Sequence, residues 1–182
     1  MKPNYLTILI TTLCIFFNAC HNSNTAPQLQ LADSLIDKRA DSALCILEKL
    51  SIEEISNKSA KAMYALLLTE ALDKNFKSHR NDSLILIAVD YYKDNSNNKL
   101  KTKAYYYLGR VYQDNKEYIK ATEAYLTALK TASPTQAPIL QIYNNLALCY
   151  ESQEFYLPAI KTYKESYATA EKMQDKYGIL HA

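Results

Sequence analysis

The chain has 182 residues, 48% of them hydrophobic and 22% charged, which suits one globular domain or a short array of repeats. Two glycines and five prolines leave too little turn chemistry for a β-rich or α/β fold, so an all-α chain is expected. Lys and Arg number 21 against 19 Asp and Glu, and the resulting charge of +2 makes no electrostatic case for nucleic acid. With 16 tyrosines and no Trp, aromatic packing is expected to keep one polar end wet.

The chain begins MKPNYLTILITTLCIFFNAC. Lys2 precedes an apolar run from Tyr5 to Phe17, a length that suits an export signal and falls short of a membrane span of ~20 residues. Ala19 followed by Cys20 resembles a bacterial lipobox, with Phe17 and Asn18 departing from the usual aliphatic and small residues. The resemblance implies a signal peptide over 1–19, cleavage before Cys20, and lipid on its sulfur and new amine. Each buried methylene contributes about 0.8 kcal/mol, so several acyl chains on Cys20 make a stable tether. The polar stretch His21–Gln28 reads as a spacer, giving a lipidated Cys and linker over 20–28. It lacks the acidic cluster that resembles a surface-export signal in some Gram-negative lipoproteins, so an envelope protein facing the periplasm is expected. Ordinary secretion and an uncleaved anchor are the alternatives. Processing leaves Cys45 and Cys149, each in an apolar helical stripe several helices from the other, and both are expected to be buried free thiols.

Beyond the spacer, Gln28–Lys38 fits a first helix. Asp41-Ser42-Ala43-Leu44 and Asp82-Ser83-Leu84-Ile85 are related at 41 residues and each opens an apolar run, to about Leu50 and Tyr92. Asp or Ser at such a place is expected to cap the helix N-terminus. Ala60–Asp73 fills the helix between them, followed by a long loop from Lys74 to Asn81. From Ala104 to Pro134 the pattern is clearest. Tyr105, Leu108 and Tyr112 recur at three and four on one helical face, while Gly109 permits close approach of a second helix carrying Ala121, Tyr125 and Ala128. Six of these anchors return 38 residues later as Tyr143, Leu146, Ala147, Tyr150, Ala159 and Tyr163. The segment 133–138 between the copies holds Pro134 and Pro138, where a missing N–H does no harm.

The anchor order resembles the tetratricopeptide repeat: aromatic, two residues, Leu-Gly, two residues, Tyr, then Ala, three residues, aromatic, and a late Pro. Tyr105 and Tyr125 stand where Trp and Phe are usual. The resemblance implies a right-handed superhelix (solenoid) of helix–turn–helix repeats at about 29–57, 58–98, 102–135 and 140–175. Residues 179–182 begin an incomplete further repeat. The order of elements from Ala32-Asp33-Ser34-Leu35 to Ala104–Tyr112 is similar to tetratricopeptide lipoproteins abundant in Bacteroidetes. Some members continue into a membrane helix and a cytoplasmic signalling or DNA-binding segment. The N-terminal sensory portion of a longer transmembrane regulator is therefore the alternative.

No phosphate loop, HExxH or G-x-S-x-G is present. The histidines (His21, His79, His181) have no helical spacing for a metal. No catalytic residue, metal or cofactor is expected, and the function is read as binding. Stacked hairpins line a concave face with their first helices. The residues beside the packing stripe there are Lys103, Tyr106, Tyr107, Arg110, Gln113 and Asp114, then Gln141, Asn144, Asn145, Leu148, Glu151 and Ser152. Lys103, Tyr106, Tyr107, Arg110, Asn144 and Asn145 are the candidate binding residues for a protein or peptide. Asn145 fits a slot used by tetratricopeptide proteins that grip a terminal carboxylate, whereas Tyr106 and Arg110 stand where Lys and Asn would be expected.

Overall fold

The computed structural model describes residues 25–79, 81–134 and 138–173. The leader 1–19, Cys20, the spacer to residue 24 and the stub 179–182 lie outside the described residues. Eight α-helices are described: α1 (Ala26–Leu35), α2 (Ala40–Leu47), α3 (Lys58–Lys74), α4 (Ser83–Tyr92), α5 (Asn98–Asp114), α6 (Tyr118–Thr131), α7 (Ile139–Ser152) and α8 (Tyr156–Met173). A short 3-10 turn, Ile52–Glu54, lies between α2 and α3, and among the described residues there is no strand.

Consecutive helices pack as hairpins, α1 on α2, α3 on α4, α5 on α6 and α7 on α8. The odd-numbered helices also touch one another, α1 with α3, α3 with α5 and α5 with α7, while the even-numbered ones make no comparable contact. Elements on the inside of a curve sit closer together, so α1, α3, α5 and α7 form the inner layer. Two large apolar clusters hold the stack, with a small third one of Ile139, Leu140 and Ala170 at its α7–α8 end. Leu29, Ile36, Leu47, Ile55 and Leu67 make the first; Leu66, Ile85, Tyr107, Val111, Tyr125, Ile142 and Leu146 are among the second. Helix α3 joins them, since neighbouring residues Leu66 and Leu67 face different clusters.

Helix ends follow local chemistry, with one departure. Asn57 accepts from Ala60 N at 3.0 Å and Asn97 from Leu100 N at 3.1 Å, each satisfying an orphan N–H of α3 and α5. The expected caps at Asp41 and Asp82 do not form. Asp41 lies inside the first turn of α2, where its charge still favours the helix dipole. At α4 it is Asn81 that accepts from Ser83 N (3.1 Å), leaving the Asp82 carboxylate to accept from the Tyr112 hydroxyl at 3.0 Å.

Three hairpins turn in the same way. Phe76, Lys116 and Glu154 have φ of 56, 61 and 62°, and the following amides, Lys77, Glu117 and Phe155, bond back to Leu72, Tyr112 and Tyr150 carbonyls. This is the helix-ending motif that usually takes Gly or Asn at the left-handed residue. Within the third hairpin, Gly109 meets Tyr125: a Cβ placed on Gly109 would lie 2.6 and 2.8 Å from Cδ1 and Cζ of the Tyr125 ring. No side chain fits there without moving a ring that is fully buried.

The two cysteines differ in their surroundings. Cys149 is buried in the second cluster, but Cys45 is exposed, correcting the expectation of two buried thiols. Helix α2 spans only Ala40–Leu47, so one narrow face suffices to bury Ala43, Leu44 and Leu47, and Cys45 points away from it. Among the described residues no helix is long and apolar enough to cross a membrane.

Candidate functional site

The inner layer carries a network of ion pairs, some at i,i+4 within a helix and others between helices, where local spacing does not reveal them. Glu70 on α3 is buried, with Lys74 at 3.3 Å on one carboxylate oxygen and Lys103 of α5 on the other. Lys74 also reaches Asp37, in the turn after α1. That bond holds the Asp37 carboxyl below its ordinary range. Burial disfavours the Lys74 charge, but Asp37 and Glu70 outweigh it and raise its pKa. One helical turn further, Arg110 bonds Asp73 at 2.8 Å and sits 3.7 Å from Asp114. Its partial burial is opposed by the Asp73 charge and hydrogen bond, which keep it protonated beyond the usual guanidinium range.

His79 closes this network from the loop after α3. Its Nδ1 lies 2.8 Å from Asp114 and its Nε2 3.2 Å from the Thr69 carbonyl. Both partners are acceptors, so both contacts are hydrogen bonds only when both ring nitrogens carry hydrogen. Ligand atoms of Asp73, His79 and Asp114 lie within 4.8 Å of one another, a grouping that could hold a metal ion. Arg110 stands against both carboxylates, so a cation is already supplied by the chain.

The candidate binding residues therefore divide. Tyr107, 4% exposed, is a core residue, and Tyr106, 8% exposed, lies edge-on to it with ring centroids 4.9 Å apart. This corrects their placement on the binding surface. Helix α5 is packed by α3, α4, α6 and α7, so far more than one stripe of it is covered. Burial pushes the Tyr106 phenol up to about 12 and moves Tyr107 and Tyr125 upward too. Lys103 and Arg110 are in place on the inner layer but are neutralised within the fold. Asn145 donates to the Tyr106 hydroxyl (3.4 Å), and Asn144 accepts from Ser166 of α8 (2.7 Å). Gln113 is engaged as well, accepting from Tyr125 at 2.7 Å.

The packing anchors sit as follows. Leu108, Gly109, Ala121, Tyr125, Leu146, Ala147 and Ala159 are buried, while Tyr105, Tyr112, Tyr143, Tyr150 and Tyr163 are half-buried. On α7 the inner face leaves Gln141, Ser152 and Leu148 (43% exposed) accessible, on the side that carries Asn145, and on α5 Asp114 is exposed as well.

Residues 101–172 match the model of the tetratricopeptide repeat family. The match spans the α5–α6 and α7–α8 hairpins, where tetratricopeptide anchors recur at one offset. The fold also resembles a solved structure described as the crystal structure of MamA protein. That likeness has a TM-score of 0.59 and 21% identity, over 84% of this chain and 76% of that one. A search of the curated proteins finds no match. The all-helical architecture of stacked hairpins is thus shown by the described residues and agrees with this likeness.

Proposed function

We propose that this chain is a non-catalytic interaction scaffold that takes a protein or peptide on its inner face. The observation that carries the reading is the uneven use of that face. On α5 Lys103, Arg110 and Gln113 are engaged within the fold, whereas on α7 Gln141, Leu148 and Ser152 are accessible. Such a surface suits a partner held by hydrogen bonds and a small apolar contact. It does not suit capture of a terminal carboxylate, because Lys103 and Arg110 would have to leave buried or half-buried acids.

The finer reading is of an envelope lipoprotein like those of Bacteroidetes, tethered by lipid on Cys20 and facing the periplasm. Its support is the apolar run and the Ala19-Cys20 junction. Two experiments separate the halves. Replacing Leu148 by Asp together with Gln141 by Ala is expected to abolish recovery of the partner from envelope extracts with helicity intact; unchanged recovery rejects the surface. A Cys20→Ser chain is expected to lose labelled fatty acid and leave the membrane fraction, and retention there rejects the tether.

A further inference from the structure

The loop after α3 is pinned by a buried imidazole. Phe76 there is 98% exposed and Lys77 pairs with Glu48, just after α2, at 3.0 Å. The His79 side chain, by contrast, is 3% exposed. It lies between two helices of neighbouring hairpins, with Thr69 and Asp73 on α3 and Asp114 on α5.

Two observations bear on the charge of that ring. Each nitrogen faces an acceptor, Nδ1 at 2.8 Å from the Asp114 carboxylate and Nε2 at 3.2 Å from the Thr69 carbonyl. A neutral imidazole carries one N–H, so one contact would set a lone pair against an oxygen in a site closed to water. The surrounding charges also balance only when the ring is protonated. Asp73 and Asp114 are two carboxylates, and Arg110, 2.8 Å from the first and 3.7 Å from the second, is a single cation. The other charged groups at these helix ends are engaged elsewhere. Glu70 and Lys74 bond Lys103 and Asp37, Lys77 bonds Glu48, and the Asp82 carboxylate accepts from the Tyr112 hydroxyl.

We propose that His79 is a proton-operated latch on the loop after α3. As the imidazolium it ties the loop to α3 and α5 together. As the neutral ring it gives up one of the two contacts, and the loop opens. Histidine is the side chain that changes charge between about pH 5 and 8. Because both contacts need the imidazolium, the latch is whole on the acid side of that range and is lost as pH rises. It governs one link between the second and third hairpins. The reading of α7 as a binding surface does not enter, and neither depends on the other.

Hydrogen exchange of the full chain, read by mass spectrometry, tests the latch. The reporters are the amides of Asn75, Phe76 and Lys77, which bond back to the Ala71, Asp73 and Leu72 carbonyls. Corrected for intrinsic exchange, their protection is expected to fall about ten-fold or more from about pH 5 to about pH 8, with the amides of α6 unchanged. His79→Gln is expected to show the low protection at both ends of that range. Asp114→Asn, which removes the carboxylate that favours the imidazolium, is expected to bring the fall on at lower pH. In a chain with His21→Gln and His181→Gln, His79 is the only imidazole left. Nitrogen NMR of that ring is expected to show both nitrogens protonated at about pH 5 and one at about pH 8. Equal protection at both ends, a fall that persists in His79→Gln, or a ring with a single proton on the acid side overturns the proposal.

Discussion

Gly109→Ala sets two opposed terms against each other. In an exposed helix the change would stabilise by about 1 kcal/mol, through helix propensity and a less free unfolded chain. Here the new methyl would stand 2.6 Å from Tyr125 Cδ1 and 2.8 Å from Cζ, well inside contact distance. The ring cannot swing clear, being fully buried, hydrogen-bonded through its hydroxyl to Gln113, and packed at a tilt against Tyr106 with ring centroids 6.0 Å apart. Overpacking a closed core costs about 1–3 kcal/mol, and contact with several atoms of a fixed ring places this case at the upper end. The net expectation is a loss of about 1–2 kcal/mol. Urea denaturation followed by circular dichroism measures it. Tyr125→Leu removes the obstructing ring, so the double variant should be more stable than the summed single effects by about 1 kcal/mol or more. A Gly109→Ala chain as stable as the parent, or additive losses in the cycle, would refute the close-approach argument.

Other outcomes follow from the charges and thiols. Lys103→Met strips one cation from buried Glu70 and is expected to destabilise by about 3 kcal/mol, with Glu70→Gln in the same chain recovering much of that in urea titrations. At high pH the Tyr106 phenol stays protonated in the fold to about 12 but ionises near 10 when unfolded. Its contribution is whole below pH 10 and is lost as pH rises toward 12. Over that window stability should fall by up to roughly 3 kcal/mol from this group, with Tyr107 and Tyr125 adding in the same direction. A flat pH 10–12 stability profile would contradict the burial of these rings. Ellman's reagent should titrate Cys45 in the native chain and reach Cys149 only on unfolding, since burial lifts the latter thiol to about 11.

The hairpins were legible because period and small-residue placement are local signals. Tyr105, Leu108, Gly109 and Tyr112 write one helix face within eight residues, and the 38-residue offset repeats it. The surface was less legible. A stripe argument buries one side of a helix, but α5 is packed by four others, so Tyr106 and Tyr107 sink deeper than Tyr105. Glu70 and Asp73, which pair with Lys103 and Arg110 from α3, lie 33 and 37 residues away in sequence, where nothing in spacing couples them. The left-handed turns at Phe76, Lys116 and Glu154 carry none of the glycine that signals such an ending. A clue did exist for them: each follows an Asn or Gln that closes a first helix, at Asn75, Asn115 and Gln153.

The claim that partner recognition falls to α7 on the inner face is tested most directly by site-specific photo-crosslinking. A benzophenone amino acid is placed at Gln141, at Leu148, or at exposed Glu123 on the outer helix α6. Cross-links to one partner from Gln141 and Leu148, with none from Glu123, are the expected result. Cross-links from Glu123 alone would contradict it.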